Sequence, residues 1–594
     1  MDIEPKRKFY LVVLTIYTLI LITCLVSCNS SQEQNPSIIG SEKPSNSDSN
    51  NNNLSAPTSQ INDVHIAKDF GDKKYGGIMT LANRGNPPAG FDTLRTSSIA
   101  LHHVAGAIFG PGNLVMRCRD NTYLVCPYLA RSWISDQSFT KWTFNIRNDV
   151  FWHDGTPFTA DDAKFWFELA FFGYEVGEKS RAPAYFKTEL GTIENIEVHP
   201  NNRLTIIFTD RNPHFLEILA NPRFKIAHPS HLMKPKLDSG DMSVSPLDIG
   251  LVGLGPFVID KYESNSLISV KRNDLYWEKS KQGNQLPYLD GINYVITKDP
   301  FAMDIAFRSG RIDGGARGQS HYLSSNRKEK YVEDLPNEVF FAEVEGGNFR
   351  LAFNMMKDGP WHDPKVRRAI ALWINKTDAI PIVLNGFGWT SPDLGPPNIA
   401  VQRHFINWPK FDLGDPDTKR AEALTLMSES HYANGFSMGH LCRSLNPKPC
   451  EFLKDQLSGL GITLELNMTD ESEWNRGRTS LDYDSQQGRL TPSQIPEGTQ
   501  SVYGRYENNP DAYAKHNDKH VENLYKLLKE SLTLEHRIEI WRDIERYLFK
   551  DKTYIIPIAE YINVIPYRTY VKGLAIPAED AHANTDFSTV WMEK

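Results

Sequence analysis

The chain has 594 residues, of which 40% are hydrophobic, and its 65 basic and 73 acidic residues give a formal net charge of −8. This length exceeds the roughly 250–300 residues at which single hydrophobic cores stop growing, so at least two lobes are expected. The sequence lacks a basic stripe with interleaved aromatic residues, which argues against a nucleic acid as a partner.

The first predicted element is an export signal. Lys6, Arg7 and Lys8 precede nineteen uncharged residues, 9–27, as in the n-region and h-region of such signals. The stretch ends in Leu-Val-Ser before Cys28. This ending resembles the bacterial lipobox, in which the cysteine thiol is acylated and the chain is cleaved before it. An uncleaved membrane helix is the alternative, because such a stretch just spans a hydrocarbon core of about 30 Å. In both cases the bulk of the chain lies outside the cytoplasmic membrane, on its periplasmic or cell-surface side.

A polar segment and two close cysteine pairs follow. Residues 29–63 are rich in Ser, Asn, Gln and Pro, which predicts a flexible tether with a reach of about 30 Å. The pairs are Cys118 with Cys126 and Cys442 with Cys450. In an oxidising compartment they are predicted to form two local disulfides. Zinc is the competing interpretation, but we find neither C-x-x-C spacing nor flanking histidines at either pair.

Strand and helix patterns alternate through the remaining chain. Residues 77–82 and 142–146 are predicted strands, the second with period-two alternation. Thr159 is a predicted N-cap of a helix that runs through Glu168, with acidic residues in its first turn. Later helices are predicted at 363–374, 418–427 and 521–549, the last with a break near Thr533. This interleaving indicates an α/β protein.

Several motifs carry a family resemblance. Leu129-Ala-Arg-Ser-Trp133, followed by Phe151-Trp-His-Asp-Gly-Thr-Pro-Phe-Thr-Ala-Asp-Asp162, is similar to the signature of the peptide and nickel class of ABC-transporter solute-binding proteins, bacterial extracellular solute-binding protein family 5. Further matches follow in the order found in that family, at 253–257, 271–277, 286–290, 307–313, 351–354 and 363–370. The resemblance covers about residues 75–575.

The resemblance implies a type II periplasmic-binding-protein-like fold with two α/β lobes and an extra subdomain in the first. The first lobe is expected at 64–345 plus 560–594 and the second at 346–559. Crossing strands at 349–354 and 554–561 would join them as a hinge.

The implied function is an extracytoplasmic, lipid-anchored receptor of an ABC importer. It would capture a peptide-like or other organic solute and deliver it to a permease driven by an ATPase. A monomer without cofactor is expected. A secreted receptor for sensing, or a chaperone, is the alternative, and a secreted hydrolase or lyase is a third hypothesis.

Apparent enzyme motifs do not support catalysis or a metal site. His153 and Asp154 are adjacent on an extended segment, where they point to opposite faces, and the resemblance makes this stretch structural. His102 and His103 are not accompanied by a third metal-binding residue at a spacing typical of a metal motif. Gly253-Leu-Gly255 lacks the third glycine of a dinucleotide fingerprint. The segment 318–322 lacks the closing glycine of a nucleophile elbow.

The resemblance indicates where the ligand binds but does not identify the ligand. In peptide binders of this class, an aspartate shortly after a Tyr-Asp strand pairs with the ligand amine. Here Tyr483-Asp484 leads to Ser493 where that carboxylate would stand, which disfavours an ordinary peptide amine. Arg489 or Arg505 is instead predicted to meet an anionic group.

Aromatic residues near the lobe junction are candidate pocket walls, because they bury a large area at little entropic cost. The predicted contacts also include Asn354, at the end of the first crossing strand. Together these candidates are Phe91, Asn354, Trp389, Tyr503 and Tyr561.

Overall fold

The computed structural model describes residues 75–83, 85–96, 98–119, 124–297, 299–315, 325–390, 414–444, 446–490, 504–505, 507, 512–574 and 586–594. Cys28 and the predicted tether lie outside these ranges. None of the helices within them has both the length and the apolar character needed to cross a membrane.

Short strands and helices make up the first half of the described chain. Its strands are β1 Ile78–Asn83, β2 Val115–Arg117, β3 Val125–Pro127, β4 Ala130–Ser135, β5 Lys141–Ile146, β6 Tyr174–Val176, β7 Lys179–Arg181, β8 Ile193–His199, β9 Arg203–Phe208, β10 Phe257–Glu263, β11 Leu267–Arg272 and β12 Gly291–Ile296. Its α-helices are α1 Ile99–Phe109, α2 Ala160–Phe171, α3 Phe215–Leu219, α4 Ser230–Asp238 and α5 Pro300–Arg308. Its 3-10 helices are Ala89–Phe91, Lys187–Leu190 and Pro246–Ile249.

The second half contains two long strands and most of the helices. Its strands are β13 Val339–Phe353, β14 Gly388–Thr390, β15 Phe436–Arg443, β16 Ile462–Thr469, β17 Ser485–Leu490, β18 Ile555–Arg568, β19 Val571–Lys572 and β20 Trp591–Met592. Its α-helices are α6 Ser325–Asp334, α7 Pro364–Trp373, α8 Ala379–Val383, α9 Pro416–Ser428, α10 Lys448–Ser458, α11 Glu471–Ser480, α12 Lys519–Glu530 and α13 Leu534–Glu545. Pro360–His362 and Lys376–Asp378 are 3-10 helices, and Arg546–Asp551 is a π-helix.

Local sequence signals explain the helix boundaries. α2 begins after Thr159, whose backbone N–H donates to Asp162 Oδ2 at 2.9 Å, as a capping box requires. The predicted break near Thr533 is confirmed, because the Thr533 side chain accepts from His536 N and starts α13 as a separate helix. The α/β interleaving predicted from the pattern is present throughout the described chain.

Three sheets carry the hydrophobic cores. The orders are β1-β12-β11-β10, β4-β5-β9-β8 and β14-β18-β13-β17-β15-β16. A core cluster around Met79, Leu81 and Ile292 lies on the first sheet, and one around Phe144 and Ile206 lies on the second. The six-stranded sheet has a separate cluster on each face. They are separated by the pleat of β13, because alternate residues point to opposite sides.

β13 and β18 run from one set of cores to the other. They pair antiparallel from Val339 opposite Arg568 to Ala352 opposite Ile555. Tyr567, near the end of β18, belongs to the core of the first sheet, whereas Ile556, near its start, belongs to the six-stranded sheet. This strand pair therefore connects two hydrophobic regions through the backbone.

Candidate functional site

The carboxyl ends of β15, β16 and β17 lie at one edge of the six-stranded sheet. β15 is parallel to β16 and to β17, and β17 is antiparallel to β13. Leu490, the last residue of β17, pairs with Asn348, beyond which β13 continues towards the first sheet. This edge therefore faces the side from which the long strands leave the sheet. In α/β proteins such carboxyl edges are the usual location of ligand sites.

Three predicted contacts lie in one band of this sheet. Trp389 pairs with Glu560 and its neighbour Gly388 pairs with Tyr561, so β14 places Trp389 and Tyr561 one residue apart in register. Arg489 pairs with Phe349 on the other side of β13. Three strand spacings, about 14 Å, separate β14 from β17. The register therefore places these three positions on three of four neighbouring strands near this edge.

Two other predicted contacts are used inside the protein. The Asn354 side-chain amide donates to the Leu481 carbonyl at 3.1 Å and to the Tyr483 carbonyl at 2.9 Å, which uses both of its hydrogens. Phe91 has no exposed surface and meets Tyr262 edge to face at 5.3 Å between ring centroids. Both side chains serve internal packing in this structure.

The remaining predicted contacts divide between an ion-paired arginine and undescribed positions. The Arg505 guanidinium donates to Glu522 Oε2 at 2.5 Å, to a Glu507 carboxylate oxygen, and to the Asn517 carbonyl at 3.2 Å. The positive charge of Arg505 is therefore balanced within the chain. Ser493 and Tyr503 lie outside the described residues.

A basic and aromatic group that the sequence analysis missed lies on the opposite face from most of the apolar β13 residues. Arg443, which ends β15, stacks over Trp474 at 3.9 Å, and Arg478 stands 5.0 Å from the same ring. Arg350 lies 4.8 Å from the Tyr513 ring. We call these five residues the arginine–aromatic cluster. Cation–π contacts of this kind hold guanidinium groups in fixed positions.

Only one residue of this cluster leaves a signal in the sequence. Arg350 interrupts the apolar run Phe349-Arg-Leu-Ala-Phe353, and it is fully buried. Arg350 is buried partly because β17 approaches it closely. A Cβ on Gly488 would stand 2.6 Å from Arg350 Nε. The Arg443 and Arg478 side chains are partly exposed.

Asp484 of the Tyr-Asp pair is an internal anchor. Its carboxylate accepts from the Gly439 N–H at 2.7 Å and forms a 2.7 Å ion pair with Lys357. Its backbone carbonyl accepts from the Asn354 N–H at 2.9 Å. The carboxylate thus joins β15 to the segment after β13 and fixes the register of β17.

Both predicted disulfides are present in the structure. Cys442 is bonded to Cys450, with Cα atoms 6.3 Å apart, and Cys118 is bonded to Cys126, with Cα atoms 5.1 Å apart. A buried histidine lies close to the first of them. His440, two residues before Cys442, is fully buried, and its Nδ1 lies 2.8 Å from Ser485 Oγ. Burial lowers the pKa of His440 to about 3, so the imidazole is neutral at physiological pH.

His153 joins two motifs that are distant in sequence. The Gly253 N–H donates to His153 Nδ1 at 3.1 Å, and His153 Nε2 lies 3.1 Å from the Gly255 carbonyl. Burial lowers the pKa of His153 to about 4. The imidazole is therefore neutral and bridges backbone groups, in the structural role that the resemblance implied.

Comparison with known proteins identifies the group to which these features belong. A family model described as bacterial extracellular solute-binding proteins, family 5 Middle, matches residues 125–512. The periplasmic oligopeptide-binding protein OppA of Haemophilus influenzae is 23% identical over 515 residues, which cover 83% of this chain and 90% of that protein.

Solved structures show the same fold. The periplasmic binding protein AgaA from A. tumefaciens R10, in complex with agropinic acid, aligns with a TM-score of 0.67 and 22% identity over 87% of this chain and 99% of its own. The periplasmic binding protein DppA from Helicobacter pylori, in complex with the peptide STSA, aligns with a TM-score of 0.69 and 20% identity over 88% and 99%. The predicted two-lobed α/β fold is confirmed by this likeness.

Proposed function

Because this chain belongs to the bacterial extracellular solute-binding proteins of family 5, we propose that it captures a peptide-like or other organic solute for an ABC importer. The solute is enclosed between the two lobes and then delivered to a membrane permease driven by an ATPase, without covalent change. The observation that carries the proposal is the family match over residues 125–512 together with the two-lobed fold.

The distribution of the cores supports a lobe assignment. The first lobe comprises 64–345 and 560–594, and the second comprises 346–559. Phe349 and Ile558 belong to a core of the six-stranded sheet, whereas Ile565 belongs to that of the first sheet. The two long strands are thus the hinge, since they are the paired segments that pass between the cores.

The solute site in this proposal is the carboxyl edge of the six-stranded sheet, which Trp389, Tyr561 and Arg489 adjoin by strand register. β15 ends at the same edge with Arg443 of the arginine–aromatic cluster. Arg443 ends β15 at this edge, and Arg478 on α11 contacts the same Trp474 ring. Both side chains are partly exposed, and guanidinium groups bind carboxylates by paired hydrogen bonds. This arrangement favours a solute with an anionic group. Two similar proteins are in complex with ligands of different classes, the peptide STSA and agropinic acid. The shared fold therefore does not select the class of the solute, and the anionic group is inferred from the arginines alone.

The protein acts outside the cytoplasmic membrane as a monomer, anchored by a lipid on Cys28. The support is the uncharged stretch 9–27 before Leu-Val-Ser-Cys28, and the periplasmic location named for OppA of H. influenzae. A tether of 35 residues, 29–63, has a root-mean-square reach of about 30 Å, which allows the body to meet a permease in the same membrane.

The test is to identify the solute on the protein itself. The full-length chain is purified from its native host in mild detergent, and small molecules released by denaturation are identified by mass spectrometry. An unmodified organic solute, bound one per chain, is expected. Adding that solute at a hundredfold its Kd should stabilise the protein by about 2.7 kcal/mol in thermal unfolding. Chemical conversion of the solute by the protein, or the absence of any stabilising solute in a broad library, would contradict the proposal.

A further inference from the structure

The Cys442–Cys450 bond and His440 bring three metal-binding atoms together inside the six-stranded sheet. One nitrogen of His440 and the two sulfur atoms all lie within 4.8 Å of one another, and all three residues are buried. His440 and Cys442 are two residues apart on β15 and share a face. Cys450 lies in the first turn of α10, which contributes Phe452 and Leu453 to the core on that face. The fold therefore fixes their proximity.

Hydrogen bonds determine which His440 nitrogen is free to bind. The Ser485 hydroxyl donates its one hydrogen to the Gly439 carbonyl at 3.2 Å. We therefore assign the imidazole proton to His440 Nδ1, which lies 2.8 Å from the Ser485 oxygen and donates to it. Nε2 is left with its lone pair, and it is buried without a hydrogen-bond partner among the described residues. A neutral imidazole oriented by a hydrogen bond on its other nitrogen is the usual form of a metal-binding histidine.

We infer that reduction of the Cys442–Cys450 disulfide converts this group into a binding site for a thiophilic divalent ion such as Zn²⁺. A dithiol reductant transfers two electrons, is itself oxidised to a disulfide, and leaves two protonated cysteine thiols. The ion then binds both sulfur atoms and His440 Nε2, and two protons are released to solvent. The disulfide and the metal-bound form exclude each other, because the same sulfur atoms serve both.

The chemistry of the three residues suits such an ion. Zn–S bonds of about 2.3 Å and Zn–N bonds of about 2.0–2.1 Å in a tetrahedron put neighbouring ligand atoms roughly 3.6–3.8 Å apart. One His440 nitrogen lies within 4.8 Å of both sulfur atoms, so rotation of the His440 and cysteine side chains brings the ligand atoms to these separations once the S–S bond is broken. Two thiolates neutralise the ion, which limits the cost of burying its charge. Gln487 Oε1, 3.4 Å from Cys450 Sγ, offers a fourth ligand atom for the ion.

Cobalt(II) is the probe, because its thiolate complexes absorb in the near ultraviolet and the visible. The full-length chain carries Cys24→Ser, Cys28→Ser, Cys118→Ser and Cys126→Ser, so that Cys442 and Cys450 are its remaining cysteines. After reduction with a dithiol and anaerobic desalting, one equivalent of Co²⁺ should produce thiolate-to-cobalt charge-transfer bands, and Zn²⁺ should bleach them. The oxidised sample should show no such bands.

His440→Asn isolates the nitrogen ligand. Asn retains an N–H for Ser485 and removes Nε2, so Co²⁺ affinity should fall at least tenfold. The matched control is His199→Asn. His199 is a partly exposed histidine that contacts Thr205 at 3.0 Å outside this group, and its replacement should leave the affinity unchanged. Equal affinity in His440→Asn and the parent would overturn the inference.

Two measurements keep the result independent of variant folding. Near-ultraviolet circular dichroism of the reduced parent should retain its native signal, and loss of that signal on reduction alone would overturn the inference. X-ray absorption at the zinc edge of the loaded parent should show two sulfur ligands and at least one nitrogen. A shell of oxygen alone, or binding that persists in Cys442→Ser/Cys450→Ser, would also overturn it.

Discussion

Glu217 and Arg537 form an ion pair of 3.0 Å although 320 residues separate them. Glu217 lies in α3, and Arg537 lies in α13. Beside this pair, His214 Nε2 lies 2.9 Å from the Ser531 carbonyl at the end of α12. Burial would raise the pKa of Glu217, but Arg537 and His214 lower it below its usual value. In the proposed assignment, these contacts connect the two lobes away from the hinge strands.

We expect this pair to favour the closed arrangement of the lobes. Arg537→Gln removes the charge of a side chain that is only 4% exposed. The change should shift the balance towards the open form by about 1–2 kcal/mol, between the values for exposed and buried pairs. Small-angle X-ray scattering of the solute-free variant should then show a larger radius of gyration. Arg476→Gln, which breaks the exposed pair with Glu473, is the control. An unchanged radius in Arg537→Gln would contradict this role.

A buried ion group gives the protein an acid-sensitive stability. Asp92 accepts from His228 Nε2 at 2.9 Å and from the Arg181 guanidinium. Burial would raise the pKa of Asp92, but these partners lower it from 3.8 to about 2. Burial also lowers the pKa of His228. Both groups therefore bind protons more readily when the chain is unfolded.

The folded protein therefore loses stability as the pH falls. The contribution of Asp92, about 2 kcal/mol, is complete above pH 4 and is lost between about pH 4 and pH 2. His228 adds a decrease that begins as pH falls below its usual pKa of about 6.5. Asp92→Asn should cost about 3–5 kcal/mol at pH 7, and the difference from the parent should shrink below pH 4. Denaturant unfolding across pH measures both. Asp154→Asn, in a pair with His231 at a partly exposed site, should change the stability by less than about 1 kcal/mol.

Lipid attachment at Cys28 can be separated from retention of the apolar segment. Metabolic labelling with a fatty acid should mark the parent and Cys24→Ser but not Cys28→Ser. Both cysteines lie in the same segment, so Cys24→Ser controls for the loss of a thiol. Labelling of Cys28→Ser, or its absence from the parent, would favour the uncleaved membrane helix over the lipoprotein.

The arginine–aromatic cluster should determine affinity for an anionic solute. In Arg443→Gln and Arg478→Gln, the affinity for the co-purifying solute should fall by about 1.5–3 kcal/mol each, as for a hydrogen bond to a charged group. Calorimetric titration measures the change. Arg476→Gln is again the matched control, since Arg476 lies on α11 with Arg478 but pairs with Glu473. Equal affinity in all three variants would assign anion binding to other residues.

The elements themselves were predictable because their signals are local. Thr159 and Asp162 cap α2 within four residues, and Thr533 separates α12 from α13 by its own side-chain bond. Strand β5 follows the period-two alternation at 142–146. Such signals act within one helical turn or along one strand, so the sequence contains them directly. The order of motifs likewise identified the family, since each motif is a short contiguous pattern.

The site depended on contacts that no local pattern encodes. Asn354 and Phe91 were plausible ligand contacts by position, yet the tertiary structure uses one for backbone carbonyls and the other for a core. Arg443 reaches Trp474, and His440 reaches Ser485, only because β15 pairs with β17 and packs against α11. The sequence by itself determined the elements, the family and the predicted export route. Strand register and the packing of distant segments decided which side chains meet, because those contacts join residues far apart in the chain.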